Sequence, residues 1–344
     1  MAQPTGMTSI VRAEQVPASA GGVGLPADRL RVYAALALGI CCIALSAIFT
    51  RLAHVPGTVS GFYRVAIAEV VLLPLFLRSV ARGEAGTHKD PPGPTGHMPE
   101  AKSPVGLSRP REAKPRGRRV WLMALLAGLF FALDLGLWNT SLFLTPVANA
   151  TLLANDAPIV VGLIAVLMLH ERLRGSYWLG LAVALAGMGI IVGQDALASS
   201  GHLGAGDALA LLAGVSYALY LTITPHVRAH MSTLASLWIP GLAGMTVLLA
   251  FNLAAGRALW GFSGGTWLAL LAVGLISQAV GWLAINYALG HMPASVVSVT
   301  LLAQPVLTAL FAVPLLGEAL AGRQLLGGAV ALAGIYLVNR GFAR

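Results

Sequence analysis

Four ionisable residues lie inside long apolar segments, where a charge is costly and therefore marks a candidate functional position. They are Arg64 and Glu69 in one segment, Asp134 in the next, and Asp156 in the one after that. Arg64 and Glu69 are five residues apart, about 140° around a helix, so they do not face each other. Asp134 or Asp156 is therefore the expected counter-ion of Arg64. Two roles stay open, an ion pair that only locks helices together, or a carboxylate left to bind a proton or an amine.

Amide and aromatic side chains form stripes along the same and later segments. Gln278, Trp282 and Asn286 are spaced at i, i+4 and i+8, which puts them on one face of a helix. Such a face suits a cavity that binds a zwitterion and tolerates an apolar side chain, although amides also hydrogen bond between helices in apolar surroundings. The candidate binding residues for a small molecule are Trp138, Asn139, Asn149, Asp156, Tyr217, Tyr220, Gln278, Trp282, Asn286 and Gln304.

Two prolines lie inside equivalent apolar segments, and two glutamates lie at the ends of the same segments. Pro158 and Pro305 each remove a backbone donor inside an apolar run, so we expect kinks that act as hinges there. Glu171 and Glu318 close the same two runs and are interpreted as turn-forming residues.

The composition places these residues in a membrane protein. The chain is 57% hydrophobic and 10% charged, with a mean hydropathy of +0.79, which a soluble protein of 344 residues could not hide from water. Long runs without alternation exclude a barrel, so the fold is all-α. The ten expected spans are 32–50, 58–77, 120–141, 146–168, 176–193, 205–224, 233–253, 266–288, 293–315 and 324–340.

The same sequence argues against cofactors and nucleic acid. Adjacent Cys41 and Cys42 have no metal-ligand spacing, and no His/Cys cluster, nucleotide-binding loop or hydrolase nucleophile motif is present. We therefore expect no metal, no cofactor and no enzymatic activity. The basic residues lie in loops between apolar runs, so they are interpreted as orientation signals and not as a nucleic-acid surface.

Charge distribution predicts the orientation. With the N-terminus in the cytoplasm, eighteen Lys and Arg residues fall in internal loops and three, Arg51, Arg257 and Arg323, fall outside. Both termini are therefore expected in the cytoplasm. Residues 1–30 and the Gly-, Pro- and charge-rich segment 83–119 are expected to be disordered and cytoplasmic.

The chain is an internal duplication with an offset of 147 residues. AVALAG occurs at 182–187 and at 329–334, and Asn139, Pro158 and Glu171 recur as Asn286, Pro305 and Glu318. Five helices is an odd number, so the repeats, 31–193 and 204–340, must insert with opposite orientations. Internal repeats in polytopic membrane proteins are typical of secondary transporters, whose site lies between the halves.

Residues 139–192 and 286–339 both resemble the EamA repeat of the drug/metabolite transporter superfamily. The resemblance rests on a small-residue helix, a mid-helix proline, a terminal Glu and a Gly/Ala-rich final helix, and Phe62-Tyr63-Arg64 is similar to the family's second-helix arginine. The first half departs from the pattern, with His170 where Gly317 stands in the second. The resemblance implies ten helices in two inverted repeats, a cavity lined by helices 1, 3, 4, 6, 8 and 9, and export of small metabolites across a bacterial inner membrane.

The expected function is therefore export of neutral or aromatic amino acids with broad specificity, by alternating access. The alternative is a proton-coupled exporter of organic cations or drugs, held by the acids of the first half. The expected partners are a small-molecule substrate and the lipid bilayer. The sequence leaves the substrate, the coupling to protons and the choice between monomer and homodimer open.

Overall fold

The computed structural model describes residues 26–82, 117–141, 144–145, 150, 153–192, 204–317 and 321–343, and these ranges are helical except for turns and short loops. Eight helices are long and apolar enough to cross a membrane, and two further apolar helices are shorter. The expected all-α membrane fold is confirmed. The helices are α1 (Pro26–Ala53), α2 (Gly57–Ala81), α3 (Gly117–Ser141), α4 (Ala157–Leu167), α5 (Gly175–Val192), α6 (Ala205–Arg228), α7 (Thr233–Ala254), α8 (Gly264–Leu289), α9 (Ala294–Leu316) and α10 (Gly322–Ala343).

Two helices begin earlier than the apolar pattern predicts. α1 includes 26–30 and α3 includes 117–119, although both stretches were expected to be disordered. Proline is favoured at the first position of a helix and arginine is a good helix former, so both helices continue past the end of the apolar run. Hydropathy measures the part of a helix that can lie in hydrocarbon, which is shorter than the helix itself. Residues 1–25 and 83–116 lie outside the described residues.

Helices of each half pack against helices of the other half, and the contacts are reciprocal. α1 packs against α8, and α6, its counterpart in the second half, packs against α3. Likewise α1 contacts α9 while α6 contacts α4, and α2 contacts α8 while α7 contacts α3. Each half thus completes the other, which is the pattern that a two-fold axis between the repeats produces.

The contact between α5 and α10 shows the direction of that axis. Gly180 lies against the backbone of Gly334, and Gly187 lies against that of Gly327 and Ala331. Gly180 and Gly327 are equivalent positions, as are Gly187 and Gly334, so the contact is reciprocal and the helices are antiparallel. This is the geometry of two inverted repeats.

The α4 and α9 helices end in the same unusual conformation. His170 has φ 54° and Gly317 has φ 70°, and the two positions are 147 residues apart. Left-handed backbone is free of penalty for glycine but costs roughly 1 kcal/mol for other residues. The Glu171 N–H then donates to Ala165 O at 2.8 Å and closes α4, so Glu171 does lie in the turn. Glu318 lies outside the described residues.

Replacing Gly187 by alanine tests the close approach of α5 and α10. The new Cβ would lie 2.3 Å from the Ala331 nitrogen, so the helices must separate. We expect a loss of about 1–3 kcal/mol, seen as a lower unfolding midpoint of the purified protein in detergent. Gly189→Ala is the matched control, because nothing lies within 4 Å of its Cβ and alanine favours a helix. An equal effect at both positions would contradict the packing described here.

Candidate functional site

Two helices are interrupted at equivalent positions near the middle of the protein. α4 begins at Ala157 after a turn at 155–156, although residues 153–154 are already helical. α9 is interrupted at Leu302, between the segments Ala294–Leu301 and Ala303–Leu316. Asn155 and Leu302 are 147 residues apart, so both repeats contain the same break.

The breaks correct the expected role of the two prolines. Pro158 is in the first turn of α4, and Pro305 is the third residue of the second segment of α9. Neither proline kinks a continuous helix from its middle, because a first-turn N–H has no intrahelical partner to lose. Each interruption lies just before its proline, where the N–H groups of Asp156 and Leu302 donate to carbonyls three residues earlier at 3.1 Å while the backbone keeps right-handed helical dihedrals. The hinge role of the two prolines stays a prediction.

The breaks face a small internal cavity. Its volume is about 40 Å³, enough for a few water molecules but not for a metabolite. Residues of α4, α6 and α9 surround it, so it lies between the two halves. The lining residues are Ala154, Asn155, Ala157, Pro158, Tyr217, Ser298, Leu301, Leu302 and Gln304.

Arg64 has neutral hydrogen-bond acceptors where a carboxylate was expected. Its Nε donates to Gln278 Oε1 at 2.7 Å and one terminal nitrogen donates to Ser46 Oγ at 3.0 Å. Asp134 is the acid whose charge acts on Arg64, and Asp134 also interacts electrostatically with Asp156. The cluster of charges is therefore spread over α2, α3 and the α4 break and is bridged by amide and hydroxyl groups.

An aromatic cluster lies beside these charges. The Trp282 ring is 5.2 Å from Phe131, 5.3 Å from Tyr220 and 6.0 Å from Tyr217, in each case edge to face. Tyr217 also interacts electrostatically with Asp134 and Arg64 and lines the cavity, so the aromatic and charged groups are continuous. Three of these rings were predicted. Phe131 was missed, although it precedes Asp134 by three residues and Trp138 by seven and so shares their face of α3.

Several buried polar atoms in and around the clusters have no partner within the described part of the chain. They are Trp282 Nε1, Asp156 Oδ1, Asn286 Oδ1 and, at the α2–α7 contact, Glu69 Oε2. Leaving such atoms unpaired costs free energy, so each needs an explanation. Trp282 and Asp156 are next to residues that line the cavity, although they are not among its lining residues themselves.

The two equivalent asparagines are held by the fold. Asn139 is 4% exposed, donates to Leu135 O at 2.6 Å and lies against Gly57 at the start of α2. Asn286 has the same bond to the carbonyl four residues earlier and also donates to the Tyr220 hydroxyl at 3.2 Å. Asn139 is thus placed to join α3 to α2, away from the cavity. Trp138 is half-buried beside it, and Asn149 lies outside the described residues.

Gln278 lies in a π-helix, Val273–Gly281, which the sequence patterns did not predict. Two glycines let this segment approach its neighbours: Gly274 lies against Ile67 and the Arg64 carbonyl, and Gly281 lies against Cys42. Single π-helical turns are rare and are often found at functional sites. Here the segment brings the Gln278 amide to the Arg64 guanidinium.

Hydrogen bonds join helices of the bundle at both of its ends. At one end Arg228, 3% exposed, donates to the carbonyls of Asn286 and Met231 at 3.1 and 2.8 Å. Beside it, burial raises the pKa of Glu171 in the α4–α5 turn, although nearby His226 acts in the opposite direction. At the other end Thr58 and Asn252 exchange two hydrogen bonds of 2.8 and 3.0 Å. These bonds hold α6 to α8 at one end of the bundle and α2 to α7 at the other.

Residues 104–193 and 204–340 each match the model of the EamA-like transporter family. The chain belongs to this family. An uncharacterised transporter of Archaeoglobus fulgidus is 29% identical over 197 residues, or 57% of this chain and 68% of the relative. A probable terminal-alkyne amino-acid exporter of Streptantibioticus cattleyicolor is 26% identical over 242 residues, or 70% and 78% of the two chains.

A solved crystal structure has the same fold. The two structures superpose with a TM-score of 0.67 at 20% identity, over 92% of this chain and 98% of the other. The EamA-like protein is thus a multi-pass membrane transporter by family, and its helical arrangement is shared with a protein of low sequence identity.

Changes at Arg64 and its two neighbouring acids test the charge cluster. Arg64→Met removes the positive charge near Asp134, and we expect roughly 3–5 kcal/mol of destabilisation, measured by denaturant unfolding in detergent. Adding Asp134→Asn should recover part of this loss. Adding Asp156→Asn is the matched control and should recover less, because Asp156 is not among the charges that act on Arg64. Greater recovery with Asp156→Asn would contradict the arrangement.

Proposed function

We propose that this EamA-like transporter exports small zwitterions, foremost neutral and aromatic amino acids, by alternating access. The observation that carries the proposal is the pair of equivalent helix breaks, which face one internal cavity between the inverted repeats. Interrupted helices at the interface of inverted repeats are where secondary transporters bind their substrates. The present cavity of about 40 Å³ requires that the halves move apart before a substrate can enter.

The groups in and near the cavity suit both ends of a zwitterion once the halves move apart. Asp156 at the α4 break offers an unpaired carboxylate oxygen to an ammonium group, and the faces of Tyr217 and Trp282 add cation–π attraction. The Arg64 guanidinium and the unpaired Trp282 N–H are donors for a substrate carboxylate. The apolar remainder of the wall, including Leu301 and Leu302, accepts varied side chains.

A relative supports the amino-acid choice. The Streptantibioticus cattleyicolor protein is named as a probable exporter of terminal-alkyne amino acids, which are zwitterions with an apolar side chain. At 26% identity this name supports a substrate class and not a particular amino acid. No ATP-binding motif was found in the sequence, so a substrate or ion gradient drives the flux.

A cation exporter is the second candidate, because the apolar segments contain more acidic than basic residues. Of the four ionisable residues in the apolar segments, three are acids, Glu69, Asp134 and Asp156, and one is a base, Arg64. An organic cation would neutralise one carboxylate and stack on the aromatic cluster without needing Arg64. Dependence on Arg64 therefore separates the two candidates.

Arginine placement supports an orientation with both termini in the cytoplasm of a bacterial inner membrane. Arg78, Arg82, Arg118 and Arg119 lie where α2 ends and α3 begins, and Arg172 and Arg174 lie in the α4–α5 turn. Alternating helices bring these positions to the same membrane face. Basic loops remain on the cytoplasmic side, so this face is proposed to be the inner one.

Counterflow in proteoliposomes tests the function. We expect labelled methionine and phenylalanine to accumulate in liposomes that contain the protein and the same unlabelled amino acid. Asp156→Asn and Arg64→Gln should each reduce this exchange at least ten-fold, since loss of one charge-assisted contact costs about 1.5–3 kcal/mol. Tyr336→Phe, on the exposed face of α10, is the matched control and should transport normally.

Tetraphenylphosphonium, an organic cation with aromatic rings, is the competing probe. Its exchange by the wild type, in the absence of amino-acid exchange, would replace the first proposal with the second. Exchange of the cation that survives Arg64→Gln but not Asp156→Asn would identify the cation mode. Equal fluxes of every probe with and without protein would overturn both.

Glu69 is proposed as the group that carries the coupling proton. It is 5% exposed at the contact of α2 with α7, where the missing side chain of Gly241 leaves room for its carboxylate. One oxygen has no hydrogen-bond partner, and the indole of Trp238 donates to the Glu69 carbonyl at 3.1 Å. A carboxylate in this apolar contact is most easily kept in its neutral form, so it would take up a proton in this state and release it when α2 and α7 separate.

Separating exchange from gradient-driven transport tests this role. Glu69→Gln should keep amino-acid counterflow but lose the acceleration that a pH gradient gives to the wild type. Glu171→Gln, at a half-buried glutamate in the α4–α5 turn, is the matched control and should keep that acceleration. If Glu69→Gln responds to the gradient as the wild type does, Glu69 has only a packing role.

A further inference from the structure

An apolar groove on the outside of the bundle, far from the breaks, is not used by the transport cycle described above. It lies between α2, α3 and α7 and has a volume of about 470 Å³, much larger than the central cavity. Its walls include Phe76, Trp121, Leu125, Trp238, Leu242 and Thr246. Its apolar walls and its place on the membrane-facing surface require an apolar occupant.

The groove has the length and position of one leaflet. Along α7 it runs from Trp238 to Val247, about 13 Å, or somewhat less than half the thickness of a bilayer core. Phe76 is near the end of α2, and Trp121 is near the start of α3, so the groove opens at the membrane face where these two helices meet the water. Trp121 is 51% exposed, as expected for a ring at the edge of the hydrocarbon.

Four exposed arginines lie at the ends of α2 and α3 that are nearest the open end of the groove. Arg78 and Arg82 follow Phe76 on α2, and Arg118 and Arg119 precede Trp121 on α3. Arg118, Trp121 and Leu125 are spaced at i, i+3 and i+7, so the arginine continues the groove-lining face of α3 toward the water. The stretches 76–82 and 118–125 contain no acidic residue. The apolar groove is thus followed, toward the water, by positively charged helix ends.

We propose that this groove is a binding site for one anionic phospholipid. An acyl chain would lie against Trp121, Trp238 and Leu242, and the phosphate would contact Arg118 with help from the other three arginines. Zwitterionic lipids fit the apolar part equally well, so the arginines make the site selective for anionic headgroups. Phe76 and Trp238 stack at 4.1 Å in the floor of the groove, and Trp238 also bonds the Glu69 carbonyl. A bound lipid therefore holds the α2–α7 contact in its present, closed form.

Brominated lipids test the site, because bromine quenches tryptophan fluorescence only on contact. The full-length protein would be placed in nanodiscs of phosphatidylcholine with a small share of either brominated phosphatidylglycerol or brominated phosphatidylcholine. We expect stronger quenching by the anionic lipid. This excess should fall in Trp121→Phe, where Trp238 is the one groove tryptophan left, and should remain unchanged in Trp178→Phe, since Trp178 is also lipid-facing but lies on α5, outside the groove.

Arginine variants identify the headgroup contact. Because one basic residue near an anionic surface contributes roughly five-fold in affinity, Arg118→Gln should reduce the preference for phosphatidylglycerol by about that factor, and Arg118→Lys should restore it. Arg257→Gln, on the loop between α7 and α8 at the opposite face, is the matched control. Equal quenching by both lipids, or an unchanged preference in Arg118→Gln, would overturn the proposal.

Thermal stability separates a lipid site from a phosphate site. Phosphatidylglycerol should raise the unfolding midpoint in detergent more than phosphatidylcholine does, and glycerol phosphate without acyl chains should not. Stabilisation by glycerol phosphate alone would show that the arginines bind an ion and that the groove is not involved, which overturns the proposal. These measurements use no transported substrate, so their outcome is independent of the substrate assignment.

Discussion

A backbone polar group in hydrocarbon must find a partner, and this requirement organises the whole structure. Eight of the ten described helices are continuous, while α4 and α9 are each interrupted by a turn at an equivalent position, where hydrogen bonds to carbonyls three residues earlier replace the helical ones. Non-helical backbone is tolerated at membrane depth only where protein or a cavity surrounds it. The two breaks therefore have to meet inside the bundle, and the exchange of α1 and α6 between the halves encloses them.

Composition and periodicity were sufficient to predict those features of the fold that depend on a single segment of the sequence. Hydropathy located the spans, and the odd number of helices in each repeat predicted the inversion, which the reciprocal contacts of Gly180 and Gly187 with α10 agree with. The partners of Arg64 could not be obtained in this way. Its acceptor, Gln278, is 214 residues away, and the choice between an amide and a carboxylate depends on how three helices cross. The two prolines indicated where α4 and α9 are interrupted. They did not indicate the backbone geometry there, because a proline fits both a kink inside a helix and the first turn of a helix.

The two halves share an architecture but contribute different chemistry. The first half supplies Arg64, Asp134 and Asp156, whereas the second supplies Tyr217, Gln278 and Trp282. Equivalent residues such as Asn139 and Asn286 serve the common fold through the same bond to the preceding turn. The proposed function therefore depends on positions where the repeats differ, and equivalent asparagines make the same bond within their helices.

The π-helix of α8 has a consequence for how the two halves diverged. Trp121 aligns with Trp267, and Gly128 with Gly274, at an offset of 146 residues, whereas Asn139 aligns with Asn286 at 147. The second copy therefore has one residue more than the first between Gly274 and Asn286, and the nine-residue segment Val273–Gly281 accommodates it. One inserted residue turns the helix before it, relative to the helix after it, by about 100°. A difference of one residue is thus sufficient to make the two halves chemically unequal, because Gln278 reaches Arg64 while Asn286 keeps the position that is equivalent to Asn139.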